Sequence, residues 1–445
     1  MTTDQHGHHQ ERRQQADACA TEAPGRRYWT VDEHLADVLA AVTPLPPIEL
    51  RLLDAQGCRL AEDVPAGSDL PPFDNSSMDG YAVRTADTVN ATERYPSVLT
   101  VVGEVAAGAG RLPAVGPGQA VRIMTGAPVP PGAEAVVPVE WTDGGTGTGE
   151  AARAMAPARA DEEVRIRQEV RGGAHIRRRG SDIAAGSTVL PAGTMLGPTQ
   201  LGLLAAIGRG SVKARPRPRV VVLSTGSELV PPGEPVGPGQ IWDSNSFTLT
   251  AAAQQAGAIA YRVGGVPDDA ERLRAVLDEQ LGRADLIITS GGVSVGAHDV
   301  VKETLQDHAG MDFRTLRMQP GKPQGFGRLG GPDGVPLLAL PGNPVSAYIS
   351  FELFVRPVIR TMLGAADVHR PRVLAVCTAA LRSPAGRRQF LRGRYLADQG
   401  AVEPVGGASS HLVGALARAD CLIVVPERTE AVAAGDVVDV VLLRD

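Results

Sequence analysis

At 445 residues the chain is too long for one ordinary core and implies about three or four domains. Apolar content is normal, aromatic residues are few, and a formal charge of -6 gives no general reason to bind nucleic acid or an anionic membrane. There is no apolar run of roughly 18 residues, the opening MTTDQHGHHQERRQQ is unlike a signal peptide, and Cys19, Cys58, Cys377 and Cys421 are scattered without a CxxC pair; this argues against a membrane span, a disulfide framework or a zinc ribbon and fits a reducing cytoplasm.

Residues 1–26 are polar, charged and Gln-rich, and read as a disordered tail; its His6, His8 and His9 can bind a metal or simply be solvated. Thr30-Val-Asp-Glu33 is a capping box, and Leu35, Val38, Leu39 and Val42 place one apolar face on the helix that follows. Pro44, Pro46 and Pro47 end it. Between Leu70 and Arg84, Asp74, Asn75, Ser76, Ser77 and Asp79 crowd oxygen atoms into a loop that can hold a cation or a ligand hydroxyl, or can be a self-bonded Asx turn. Short β-rich runs alternate with Gly/Pro turns from 97 to 140, a small β module, and 142–162 reads as a mobile hairpin tip. Arg177-Arg178-Arg179 before Gly180 is either a solvated basic face or an anion site. Pro198 to Ile207 is a short helix.

From Arg219 the texture becomes α/β. Strands are expected near 220–223, 258–263, 286–288, 313–318 and 335–340, with helices over 247–255, 269–281, 300–308 and 345–363. Such alternation implies an open parallel sheet with helices on both faces, whose ligands sit beyond the strand carboxyl ends. The polar turns fall there: Thr225 to Glu228, Asp268, Ser290 to Asp299, Lys322, and Pro341 to Ser346. Within ADLIITSGGVSVGAHD, a buried strand runs into glycines 291, 292 and 296 with Ser290 and Ser294, an expected anion-binding nest, and Asp299 can hold a Mg²⁺ that a phosphate shares. The tail from Arg370 is β-rich again and reads as a small barrel with Arg392, Ser410 and His411 as its polar candidates.

PPFDNSSMDGYAVR, VRIMTGAPVP, IRRRGSDI, LSTGSEL, SGGVSVGAHD, PGKP and LPGNPVSA, in this order, resemble the molybdopterin molybdenumtransferases, the family of MoeA and the gephyrin E domain, from about Thr30 to the end. The resemblance implies a multidomain α/β plus β fold. After the tail come an elongated linking domain (27–66 and 178–217), a β-rich domain inserted into it (67–177), a MogA-like parallel α/β sandwich (218–369) and a small C-terminal β-barrel (370–445). It also implies a homodimer in which Asp79 reaches the partner subunit's α/β domain. The implied reaction joins molybdate to adenylylated molybdopterin and releases AMP with Mg²⁺, the final step of molybdenum cofactor assembly. By motif position, Asp79, Thr125, Glu228, Asp268 and Asp299 match catalytic positions, with Asp268, Asp299 and Glu228 as Mg²⁺ ligands. Thr225, Gly226, Ser290, Gly291, Gly292, Ser294, Gly296, Arg177 and Asp182 match positions that hold the pterin and its phosphates, while Lys322, Ser346, Arg392 and Ser410 match those for molybdate. The family often has lysine where Gln319 stands, and Arg317 is a substitute source of charge. Two other readings are a molybdopterin adenylyltransferase, which is otherwise a possible partner, and a non-catalytic scaffold.

Overall fold

The computed structural model describes residues 27–108, 110–159, 162–293, 300–306 and 311–444. The expected tail, with its histidines, lies outside them, as do Ser294, Gly296 and Asp299. Two compact units emerge: Met1–Ile48, Gly57–Arg59 and Arg215–Asp445 in one, and Glu49–Gln56 and Leu60–Ala214 in the other.

In the smaller unit, five strands form one sheet: β1 (Gly80–Val83), β2 (Ser97–Val105), β3 (Gln119–Ile123), β4 (Ala135–Pro138) and β5 (Glu163–Ile166), in the order β4-β1-β3-β2-β5. Side chains alternate between faces. Tyr81, Val83 and Val137 enter one apolar cluster, and Ala82, Val121, Ile123 and Val136 enter the other. Arg122 and Glu162 form a buried ion pair at 2.6 Å. The tip expected to be mobile begins on a buried group instead. Asp143 is fully buried, and its carboxylate accepts the amides of Gly145, Gly147 and Arg165 at 3.2, 3.1 and 3.0 Å. The oxygen-rich loop before β1 is largely self-bonded: Ser76 bridges to Met78, and Asp74 takes the Arg178 guanidinium at 2.6 Å and the Arg179 amide at 2.7 Å. The expected helix is present at Pro198–Ala206.

The larger unit opens with α1 (Val31–Ala40), whose Thr30–Glu33 capping box is formed in both directions. Its sheet uses β6 (Arg219–Thr225), β9 (Ile259–Val266), β10 (Leu286–Ser290), β11 (Asp312–Thr315), β13 (Pro323–Leu329) and β14 (Val335–Leu340) in the order β9-β6-β10-β14-β13-β11. Two short strands, β7 (Leu229–Val230) and β8 (Ile241–Trp242), pair in an excursion after β6, and β12 (Met318–Gln319) pairs elsewhere. Helices α2 (Asn245–Gln255), α3 (Ala270–Leu281) and α4 (Val300–Gln306) connect the strands. After β14 the chain is helical through α5 (Pro344–Ser350), a π-turn (Phe351–Val355) and α6 (Arg356–Met362).

The four strands β9, β6, β10 and β14 are parallel, whereas β13 and β11 run antiparallel to their neighbours, so the sheet is mixed. The sequence expectation of a parallel sheet fails at this side because Gly325 and Gly327 hide β13 as a strand, and the short turn at 330–334 returns the chain antiparallel into β14. A Cβ on Gly325 would lie 2.7 Å from the Phe313 ring, so β11 packs only against a bare backbone. Alternation again splits the core. Val220, Val222, Leu286, Ile288, Leu338 and Leu340 face α2 and the long helix; Val221, Leu223, Ile287, Leu337 and Ala339 face α3.

Beyond Arg370 the barrel closes as expected. β15 (Arg372–Cys377), β16 (Arg388–Leu396), β17 (Ala401–Pro404), β18 (Cys421–Val425) and β19 (Val437–Leu442) run in the order β16-β17-β15-β19-β18, and β18 returns to β16. A bidentate pair joins barrel and helix: Arg370 meets Glu352 at 2.8 and 3.2 Å, both fully enclosed.

His34 of α1 is buried edge-on against Phe354 at 4.8 Å, with Nδ1 unpartnered among the described residues. Burial, helped by the nearby Arg314 charge, pulls its pKa from 6.5 down to about 4. The folded chain therefore holds a neutral imidazole that the unfolded chain protonates. Its contribution to stability is intact above pH 6.5 and is lost as pH falls from 6.5 to 4, about 3 kcal/mol in all. Urea unfolding of wild type and His34→Leu across that interval should show the wild type losing this much more; parallel curves would refute it.

Candidate functional site

One cleft of about 1070 Å³ gathers the carboxyl ends of the parallel strands. Register explains why. Ser224 of β6 lies opposite Ser290 of β10, which lies opposite Leu340 of β14. The residues that follow each strand are therefore level, and Thr225-Gly226, Gly291-Gly292 and Pro341-Gly342-Asn343 all line the cleft. Glu228, Asp243, Asn245, Asp268, Gln319, Lys322, Ser346, Ser410 and His411 join them.

Backbone amides serve the fold here more than a ligand. Gly291 N–H donates to Leu340 C=O, Gly226 N–H to Val266 C=O, and Ser227 N–H to the Asp268 carboxylate at 3.1 Å. Of the expected nest, the Gly291 amide is thus taken by the sheet, and Ser294 and Gly296 lie outside the described residues. Two hydroxyls also stand here: Ser224 and Thr225 are buried, and their side-chain oxygens have no partner among the described residues. A buried hydroxyl left unpaired costs stability, and a polar group bound in the cleft would relieve that cost.

Two exposed carboxylates flank these hydroxyls. Asp268 is held by exchange with Ser227, whose Oγ accepts the Asp268 amide at 3.1 Å. Glu228 folds back over Gly226, where a Cβ would meet its Oε2 at 2.4 Å, so a side chain there would push the Glu228 carboxylate aside. Among the described residues no group of three His, Cys, Asp or Glu side chains could by itself hold a metal ion.

Lys322 is the cationic side chain of the lysine or arginine type that the structure places in the lining, 5.3 Å from the Tyr28 ring. Ser346 lies in the first turn of α5, whose entry is set by Asn343 and by Pro344 at the first helical position. Ser410 is tied to that turn, its carbonyl accepting the Val345 amide at 3.1 Å. Arg392 is placed differently from the expectation. It is 2% exposed and is absent from the lining, and its guanidinium donates to the Ser409 carbonyl at 3.2 Å and to Gly407. It thus braces the loop that carries Ser410. Arg317 also stays out of the lining; its backbone amide binds Trp29 C=O.

The sequence reading missed two lining residues. Asp243 is buried and caps α2 through the Ser246 amide and hydroxyl at 3.1 and 2.5 Å. Asn245 donates to Ser290 Oγ at 2.9 Å and to Gly342 C=O at 2.6 Å, joining two strand ends. Their signal, Asp-Ser-Asn before a helix, was absorbed by capping. In the smaller unit, Thr125 donates through its amide and hydroxyl to Asp79 at 2.7 and 2.9 Å. Arg177 and Asp182 are exposed there, and Arg179 pairs with Asp69 at 2.5 Å.

Residues 29–208 match the MoeA N-terminal region (domain I and II), 221–361 a probable molybdopterin binding domain, and 375–443 the MoeA C-terminal region (domain IV). The chain is similar to molybdopterin molybdenumtransferase 2 of Mycobacterium tuberculosis, 46% identical over 91% of this chain and 97% of the relative. Molybdopterin molybdenumtransferase 1 of the same organism is 39% identical over 93% and 99%. Among solved structures, the molybdopterin biosynthesis MoeA protein of Pyrococcus horikosii superposes with a TM-score of 0.73 at 30% identity, covering 94% of this chain and all of that one.

Gly291 has φ +102°, and a Cβ there would lie 2.5 Å from Thr225 C=O. Gly291→Ala should destabilise by about 2–4 kcal/mol, against about 1 kcal/mol for Gly331→Ala, where φ is +98° but space is open. Equal melting temperatures for the two variants would contradict the close approach.

Proposed function

Since the chain belongs to the molybdopterin molybdenumtransferase family, we infer that it catalyses the final step of molybdenum cofactor assembly, the insertion of molybdate into molybdopterin. The observation that carries the finer reading is the cleft: unpartnered Ser224 and Thr225 hydroxyls, two carboxylates and Lys322 on one rim. Adenylylated molybdopterin brings a pyrophosphate to that rim, and its cleavage releases AMP.

Each residue has a role in this reading. Thr225 and Ser290 donate to phosphate oxygens, and Gly226, Gly291 and Gly292 let the phosphates approach the backbone. Asn245 keeps Ser290 in place. Molybdate, a tetrahedral dianion substrate, is attracted by Lys322 and oriented by Ser346 and Ser410, while Arg392 holds the Ser410 loop from behind. In the homodimer proposed below, Asp79 and Thr125, hydrogen-bonded to each other, would serve the cleft of a second copy, with Arg177 as a phosphate contact and Asp182 as a contact to the pterin.

Glu228 and Asp268 fit a Mg²⁺ ion. Mg²⁺ takes one or two carboxylates plus substrate phosphates and keeps its waters, so a cage of three acids is not required. Asp299 is the third ligand in this reading. When bound, the ion would offset negative charge on the phosphate oxygens. We further propose a homodimer, contact with the adenylyltransferase that supplies the substrate, and a cytoplasmic location. Cys58, Cys377 and Cys421 are buried thiols, which suits a reducing compartment. No described helix is long and apolar enough to cross a membrane.

Asp268→Asn should fold normally yet lower AMP release from adenylylated molybdopterin about 100-fold; wild-type release would end the proposed role of this carboxylate. Pyrophosphate released from ATP, in place of AMP from the adenylylated pterin, would identify an adenylyltransferase. Lys322→Ala should raise the molybdate concentration for half-maximal rate about tenfold with little change at saturation; an unchanged molybdate dependence removes Lys322 from the anion site.

A further inference from the structure

Trp242 has an environment unsuited to its side chain. An indole carries a large apolar surface that proteins usually bury. Trp242 is nevertheless 53% exposed, its neighbour Ile241 is 57% exposed, and both line the cleft. The ring is held all the same. Its Nε1–H donates to Glu234 C=O at 2.8 Å, which satisfies the one polar atom of the indole and leaves its faces purely apolar.

The strand beneath it is fixed as well. Ile241 N–H donates to Glu228 C=O and Asp243 N–H to Val230 C=O, each at 2.9 Å. The backbone of Glu228 is thus bonded to the residue just before Trp242. The indole stands on the rim that also presents the unpartnered hydroxyls of Ser224 and Thr225. Oxyanions and phosphates gain nothing from an apolar aromatic wall. A ligand with a flat ring next to its phosphate gains from both.

We propose that Trp242 is the ring-binding wall of this cleft, on which the planar heteroaromatic group of the substrate, adenine or pterin, stacks. The inference rests on the phosphate-binding reading of the same cleft.

The test is equilibrium dialysis of the full chain with three separate probes: AMP, free pterin and ribose 5-phosphate. Trp242→Ala should weaken AMP or pterin about 5- to 30-fold, Trp242→Phe by less than about threefold, and ribose 5-phosphate should bind all three proteins alike. An effect on AMP alone identifies adenine as the stacked ring, and an effect on pterin alone identifies pterin. If ribose 5-phosphate binds and Trp242→Ala leaves both ring probes unchanged, the inference is overturned while the phosphate site stands. Equal weakening of all three probes makes Trp242 a shaping residue and also overturns it. Absence of binding by the wild type to any probe overturns both readings.

Discussion

The structure depends on the level register of three adjacent parallel strands. Ser224, Ser290 and Leu340 are cross-strand neighbours, so three turns far apart in the chain end at one height. Every strand in a parallel set points its carboxyl end the same way, and helical returns keep that edge clear. The long excursion after β6 and the loop 407–411 of the barrel complete the rim.

Holding this rim open consumes much of the backbone's own bonding. The amides of Gly226, Gly291 and Ser227 are all taken internally, and Asn245 ties Ser290 to Gly342. The buried hydroxyls of Ser224 and Thr225 have no partner among the described residues. The glycines serve close approach, as when Gly291 passes Thr225 C=O, more than they present donors. Arg392 follows the same logic. A guanidinium buried to 2% exposure beside carbonyls works as a brace, and burial lowers its pKa without a carboxylate to compensate.

Behind the rim, the long helix links the other parts of the larger unit. Its first turn supplies Ser346, its π-turn supplies Glu352 to Arg370, and Phe354 receives His34 of α1. A buried ion pair adds little net stability, but losing one partner is severe, so this contact acts as a constraint on where the barrel docks. That docking sets the position of the Ser410 loop through Val345.

Local chemistry made much of this legible in the chain itself. The Thr30–Glu33 box, the apolar β-branched runs at 220–223 and 286–288, and the Gly/Ser turns after them are properties of neighbouring residues, and they fixed the α/β texture and the strand-end location of Glu228, Asp268, Lys322 and Ser346. The antiparallel strand Pro323–Leu329, next to the sheet edge, was hidden, because its Gly325 leaves room for Phe313 from a different strand. Asp243, Asn245 and Trp242 drew no functional reading, and Arg392 looked like a molybdate contact where it braces a loop. Each of those identities depends on which distant carbonyl or hydroxyl stands within hydrogen-bond reach, and only the folded chain decides that.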